Sequence, residues 1–106
     1  EYNIKHNNIL HMLEERIYDI IFTVCDYYGA EMVSVLSKGD RDRKNMDAKR
    51  MSIFLIKKEY PDMSQEKISH IFKIDRTTVT YYLKQVNTFL KTDRFTQMSY
   101  NYFTNN

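Results

Sequence analysis

Asp75, Arg76, Thr77 and Thr78 stand in a row inside the segment FKIDRTTVTYYL, which runs from Phe72 to Leu83. None of the four is good core material, and all can hydrogen-bond outward. An Arg guanidinium donates a pair of hydrogen bonds to guanine, while a Thr offers a hydroxyl to a base or phosphate and a methyl to thymine. Asp75 would repel a phosphate, so its tasks are to cap a helix or to accept from a cytosine amino group. This is the chemistry of recognition rather than of bond making. It requires an outward-facing helix start, where unpaired backbone amides also attract a phosphate.

The flanking residues supply such an element. Ser64 predicts the cap of a short helix, QEKISHIF, with Ile68, Ile71 and Phe72 as its apolar positions. KID is a tight connection. Asp75 predicts the cap of a second helix from Arg76 to about Lys91. Its apolar stripe is Val79, Leu83, Val86 and Leu90, at steps of four, three and four. Two short helices joined by three or four residues, the second opening on polar side chains, make a helix-turn-helix. In that arrangement the first helix crosses the phosphate backbone and the second sets its N-terminal residues against base edges in the major groove. The same hairpin also occurs in plain helical bundles.

Upstream, Leu10, Leu13, Ile17, Ile20, Ile21, Val24 and Tyr28 form one stripe of a long helix from about Asn7 to Tyr28, stopped by Gly29. A short second helix follows, with Met32, Val33 and Leu36 apolar, and Gly39 ends it. KGDRDRKNMD predicts an exposed charged loop, and Asp47 predicts the cap of a third helix that Pro61 terminates. Its expected core is Ala48, Met51, Ser52 and Leu55, with Phe54 and Ile56 flanking and Lys49, Arg50, Lys57 and Lys58 largely outside. Phe95, Met98, Tyr102 and Phe103 fit one helical face in the tail. The fold class expected is all-α, a compact domain of five to six helices containing a helix-turn-helix. Residues 1–91 form the domain and residues 92–106 a tail with a short helix. That tail either makes a dimer contact or folds back on the first helix, and folding back is favoured because the first helix has a wide apolar stripe to cover.

Composition narrows the function. Two Gly and one Pro argue for long helices with short connections. One Cys cannot close an internal disulfide, and Cys25 lies in an apolar helical pattern, as a buried thiol does. No run of apolar residues is long enough to cross a membrane, and no signal-peptide pattern is present, so the expected location is cytoplasmic. His11 and Glu15 are spaced to share a metal, but two ligands are too few for a zinc site, and neither metal nor cofactor is expected. No nucleophile–base pair is evident, so the chain is not expected to be an enzyme. Charge is uneven. Residues 1–37 hold two basic and six acidic side chains, a net of −4, while residues 38–106 hold fourteen basic and eight acidic, a net of +6. A basic field of that kind favours polyanions.

Five segments, in order, carry a family likeness: CDYYGAEMVSVLSKG, then RDRK (Arg41 to Lys44), AKRMSIFL (Ala48 to Leu55), MSQEKISHIF and IDRTTV (Ile74 to Val79). Together, from about Ile17 to Lys91, they resemble the C-terminal DNA-binding domain of the bacterial replication initiator DnaA and its phage-borne relatives. They match, in turn, its opening helix pair, its basic loop, its Ala-Arg-Gln-Ile-Ala-Met-Tyr-Leu helix, its Leu-Ser-Leu-x-Glu-Ile-Gly segment and its Arg-Asp-His-Ser/Thr-Thr-Val signature. The resemblance implies a Trp-repressor-like helical fold and binding to double-stranded DNA. It puts Arg41 or Arg43 in the minor groove, Asp75, Arg76, Thr77 and Thr78 near bases, and Lys49 on a phosphate. Lys44, Arg50, Lys57, Lys58 and Lys73 complete the expected contacts to the backbone or minor groove.

Four departures accompany the likeness, one of them a turn before the signature that is a residue shorter than in the cellular initiator. Ile74 replaces the signature Arg, Arg76 replaces the His, and Ser69 stands where the family usually has Gly. No Gly-rich phosphate loop followed by Lys-Ser/Thr is present, so an ATPase domain would belong to a longer parent chain. The chain opens on Glu1 rather than Met, as an excised piece does. Replication initiation or its control, transcriptional regulation, a transposition-associated role, a weak homodimer, and a protein-interaction module that has lost DNA are all compatible with these residues.

Overall fold

Apolar residues at steps of three and four become one long helix in the computed structural model, which describes the backbone of residues 2–39 and 42–105 and the side chains of 12–39 and 42–105. That helix, α1, spans Tyr2–Tyr28 and starts earlier than its apolar stripe does. It ends where expected. Gly29 takes φ +69°, and the amide of Ala30 reaches back to the Cys25 carbonyl at 2.8 Å. A left-handed residue with that reach-back bond closes the last carbonyls of a helix. Then follow α2 (Met32–Val35), α3 (Arg43–Glu59), α4 (Gln65–Phe72), α5 (Arg76–Thr92) and α6 (Arg94–Thr104), with no strand among the described residues.

The core joins Ile17, Ile21 and Val24 of α1 to Ala48, Met51, Ile53 and Ile56 of α3, and to Ile68 and Phe72 of α4 and Val79 of α5. Cys25 is buried among them, and that burial pushes its thiol up. From α2 it is Val35 that enters the core, while Val33 is 78% exposed. Helix α6 is capped by Asp93, whose carboxylate accepts from the amide and hydroxyl of Thr96 at 3.0 and 2.6 Å. Those two bonds hold Asp93 below the usual carboxylate range. Folding back is the observed arrangement of α6. Tyr102 and Phe103 lie 4.8 and 5.1 Å, ring to ring, from Tyr27 at the end of α1.

Helix α3 departs from expectation at its start. Asp42, not Asp47, is the cap, and its carboxylate accepts from the Lys44 amide at 3.0 Å. Arg43 and Lys44 therefore lie in the first helical turn rather than in a loop. Asp47 is free for that turn's side chains. It binds Arg50 at 2.8 Å and Arg43 at 3.8 Å, the neighbours three and four residues away on a helix.

Lys49 is the larger correction. It was expected outside, on a phosphate, but is only 5% exposed. Its ammonium donates to the Ser37 carbonyl at 2.8 Å and ties the segment after α2 to α3. Beside it, the Glu31 amide donates to the Asn45 side chain at 3.1 Å. Lys49 thus closes the fold. Lys49→Ala leaves a part-buried carbonyl short of a charged donor and should lower unfolding free energy by about 1–3 kcal/mol in a urea titration. A variant as stable as the parent would return Lys49 to the solvent face.

Candidate nucleic-acid interface

Two short helices and a three-residue turn position the polar cluster. Helix α4 begins at Ser64, whose hydroxyl accepts from the Lys67 amide at 3.1 Å. It ends on Lys73 in the left-handed conformation, φ 56° and ψ 44°. A non-glycine residue there costs on the order of 1–2 kcal/mol. The bonds around it offset that cost. The amides of Lys73 and Ile74 both turn back to the Ser69 carbonyl, the latter at 3.0 Å. Ile74 packs against the core. Ser69 is buried and turns its hydroxyl onto its own helix, at 2.5 Å from the Glu66 carbonyl. The Thr80 hydroxyl donates to the Gln65 side chain and locks α5 against the start of α4.

Asp75 occupies the cap position of α5, with extended backbone, and its carbonyl accepts from the amides of Thr78 and Val79. Its carboxylate makes no capping bond, against expectation. The side chain is exposed, as are Arg76 and Thr77. The chain thus presents a carboxylate, a guanidinium and a hydroxyl together at a solvent-facing helix start. Thr78 is half-buried. A helix turns about 100° per residue, which sets Thr78 on the flank leading to Tyr82 and sets Arg76 toward α4. There Arg76 shares a shallow hollow with Glu66, Ser69, His70 and Ile74.

The expected backbone contacts divide into cations drawn into the fold and cations that face solvent. Arg50 is drawn inward: its side chain is 17% exposed, paired with Asp47, and its guanidinium lies 5.9 Å from the Tyr82 ring centre. Lys57 donates to the carbonyls of Pro61 and Met63 at 2.8 and 2.7 Å, and so holds the turn between α3 and α4. Both were expected largely outside. Lys58 is exposed but stands 4.6 Å from the Tyr100 ring, on the side of α6 rather than of the hairpin. Arg43, Lys44 and Lys73 are exposed. Arg41 lies outside the described residues, and so does the His11 side chain of the two-ligand pair.

The exposed positions of α5 form a stripe that the polar cluster alone does not reveal. Thr77, Tyr81, Lys84, Thr88 and Lys91 recur at steps of four, three, four and three, all exposed. They are the complement of the apolar stripe Val79, Leu83, Val86 and Leu90. The same periodicity that predicts the core therefore contained them. Lys67 on α4 is exposed as well.

Compared with known proteins, residues 17–86 match the family model of the bacterial DnaA protein helix-turn-helix. No curated protein matches the chain.

The two caps of the hairpin differ in kind, and stability measurements separate them. Ser64→Ala removes a formed capping bond and should cost about 1 kcal/mol at any salt concentration. Asp75→Ala removes only the attraction of a carboxylate for the helix N-terminus, about 0.3–1 kcal/mol at low ionic strength. Its loss should fade in high salt. Equal, salt-insensitive losses would mean that Asp75 caps the helix through its side chain in solution.

Proposed function

The chain belongs to the bacterial DnaA helix-turn-helix family, and from that premise we propose that it binds double-stranded DNA sequence-specifically. Membership of the family carries DNA binding in general. In the proposed mode the start of α5 enters the major groove, where Arg76 and Thr77 meet base edges and Asp75 accepts from a cytosine amino group. Arg43 and Lys44, with Arg41 beside them in sequence, serve the backbone or the adjacent minor groove. Lys73 meets a phosphate at the turn. The duty this serves is replication initiation or its control, in the cytoplasm where the DNA is. An ATPase domain in a longer parent chain is the partner that the family resemblance suggests.

The observation that carries this reading is the solvent-facing cluster of Asp75, Arg76 and Thr77 at the start of α5. Asp at a helix cap is ordinary in any bundle, but Arg76 and Thr77 are exposed beside it and take no part in the core, while of the turn only Ile74 packs inward. Arg43 supports a second contact region. It lines a groove with Asp93 and Thr96, at the far end of α5. A helix from residue 76 to residue 92 is about 24 Å long.

Ile74 and Arg76 set the target apart from the standard DnaA site. Ile74 removes a cation at the turn. Arg76 puts a forked guanidinium, suited to the paired acceptors of guanine, where the family has an imidazole. Selection from a random duplex pool should recover one preferred sequence with guanine opposite Arg76. Arg76→Ala should lose about 1–3 kcal/mol on that sequence and little on random DNA. Arg43→Ala with Lys44→Ala should lower the log–log salt slope, on every sequence, by about 0.9 for each phosphate that is no longer neutralised. Enrichment of no sequence would overturn specific recognition, and tighter binding to the standard site than to any selected one would overturn the altered target.

A further inference from the structure

Tyr81 is the one aromatic ring on the exposed stripe of α5, and it is 58% exposed. It stands one helical turn beyond Thr77, with Tyr82 beside its ring and Gln85 at its phenol oxygen. The ring centre lies 6.2 Å from that of Tyr82, whose own ring packs against the core and carries Arg50 on its face. At the other end the phenol oxygen accepts from the Gln85 amide at 3.1 Å. A phenol oxygen that accepts one hydrogen bond still has its own O–H to donate. With Gln85 donating, the O–H of this exposed side chain is left for a further acceptor, and the ring gives it reach.

From this we infer that Tyr81 is a phosphate-contacting residue, its O–H donating to a backbone oxygen on one wall of the groove that α5 occupies. The inference rests on the proposed docking of α5. A helix with its side chains is about 10–12 Å across, and the major groove is about 12 Å wide. Such a helix fills the groove, so residues at its leading end meet the floor and residues leaning to either flank meet the walls. Taking Thr77 as the forward direction, helical phase turns Tyr81 about 40° to one side, and Lys84 and Lys91 about 20° and 40° to the other. The lysines then serve one strand and Tyr81 the opposite one. Tyr81 brings a neutral donor, so its contact adds affinity without releasing a counterion.

Binding of the chain to a random-sequence duplex pool tests this, with the selected duplex alongside, because a phosphate contact is the same on both. Tyr81→Phe keeps the ring and removes only the O–H. The variant should unfold at the same denaturant concentration as the parent and bind both duplexes about tenfold more weakly, with an unchanged salt slope. Lys84→Ala should instead flatten the slope by about 0.9. Parent-like affinity of Tyr81→Phe on both duplexes would overturn the inference. A loss on the selected duplex alone would overturn it too, by making the hydroxyl a base reader. Failure of the parent chain to bind either duplex would remove the docking premise itself, an outcome distinct from the first two.

Discussion

Helix α3 is buried around roughly half its circumference, and the other elements are arranged by that burial. Ala48, Ser52, Ile53 and Ile56 have no exposed surface, and Met51 has 2%. At about 100° per residue these side chains span an arc near 200°, twice the apolar stripe of an ordinary surface helix. One flank of the arc takes α1, another takes α5, and α2 closes over the start. Helix α5 has to lay Val79 and Val86 into this assembly. The opposite face of α5, from Thr77 to Lys91, then has nowhere to go but solvent. The outward aim of this face of α5 follows from the central position of α3.

The same wide arc explains what became of the basic residues. A helix with one buried stripe can keep every cation outside. A helix buried over about 200° cannot. Lys49 falls between the phases of Ile56 and Ile53, so its stem is covered whatever its charge prefers. Its ammonium must find an acceptor within the fold, and the part-buried Ser37 carbonyl is that acceptor. Arg50 and Lys57, at the edges of the arc, are drawn to Asp47 and to the carbonyls of the following turn. The excess of +6 after residue 37 is therefore not all field for a polyanion. Part of it is cross-linking inside the fold, and the exposed remainder among the described residues is Lys38, Arg43, Lys44, Lys58, Lys67, Lys73, Arg76, Lys84, Lys91 and Arg94, spread over more than one face.

What was legible in the sequence was local chemistry. Gly29 after an apolar stripe, Ser64 before a short one, and the phase of Val79, Leu83, Val86 and Leu90 each act within a few residues, and the fold honours all three. Illegible were the outcomes of competition. Asp42 and Asp47 are both good helix caps. Asp42 makes the capping bond, and Asp47, inside the helix, faces Arg43 and Arg50 instead. The outside position expected for Lys49 assumed a single buried face, and the number of faces a helix buries is settled by its partners in space. The cluster at the α5 start stands out because it interrupts a pattern. Tyr81 and Lys84 do not, because they continue one.

The departures from the family signature can be placed by the same distinction between fold and face. Ile74 sits in the turn and packs against the core, so losing the signature Arg there adds an apolar anchor to the hairpin. Ser69, in place of the usual Gly, fits because its hydroxyl is satisfied within its own helix by the Glu66 carbonyl. Both changes lie on the side of the turn that faces the protein, and both are compatible with α4 and α5 keeping their relation. Arg76 lies on the other side of the turn, exposed, with no part in the core. A substitution there is invisible to packing. The scaffold is over-determined by Ile68, Phe72, Val79 and the Thr80–Gln65 bond, and so the residue at position 76 is constrained by what the helix start faces rather than by what holds it up.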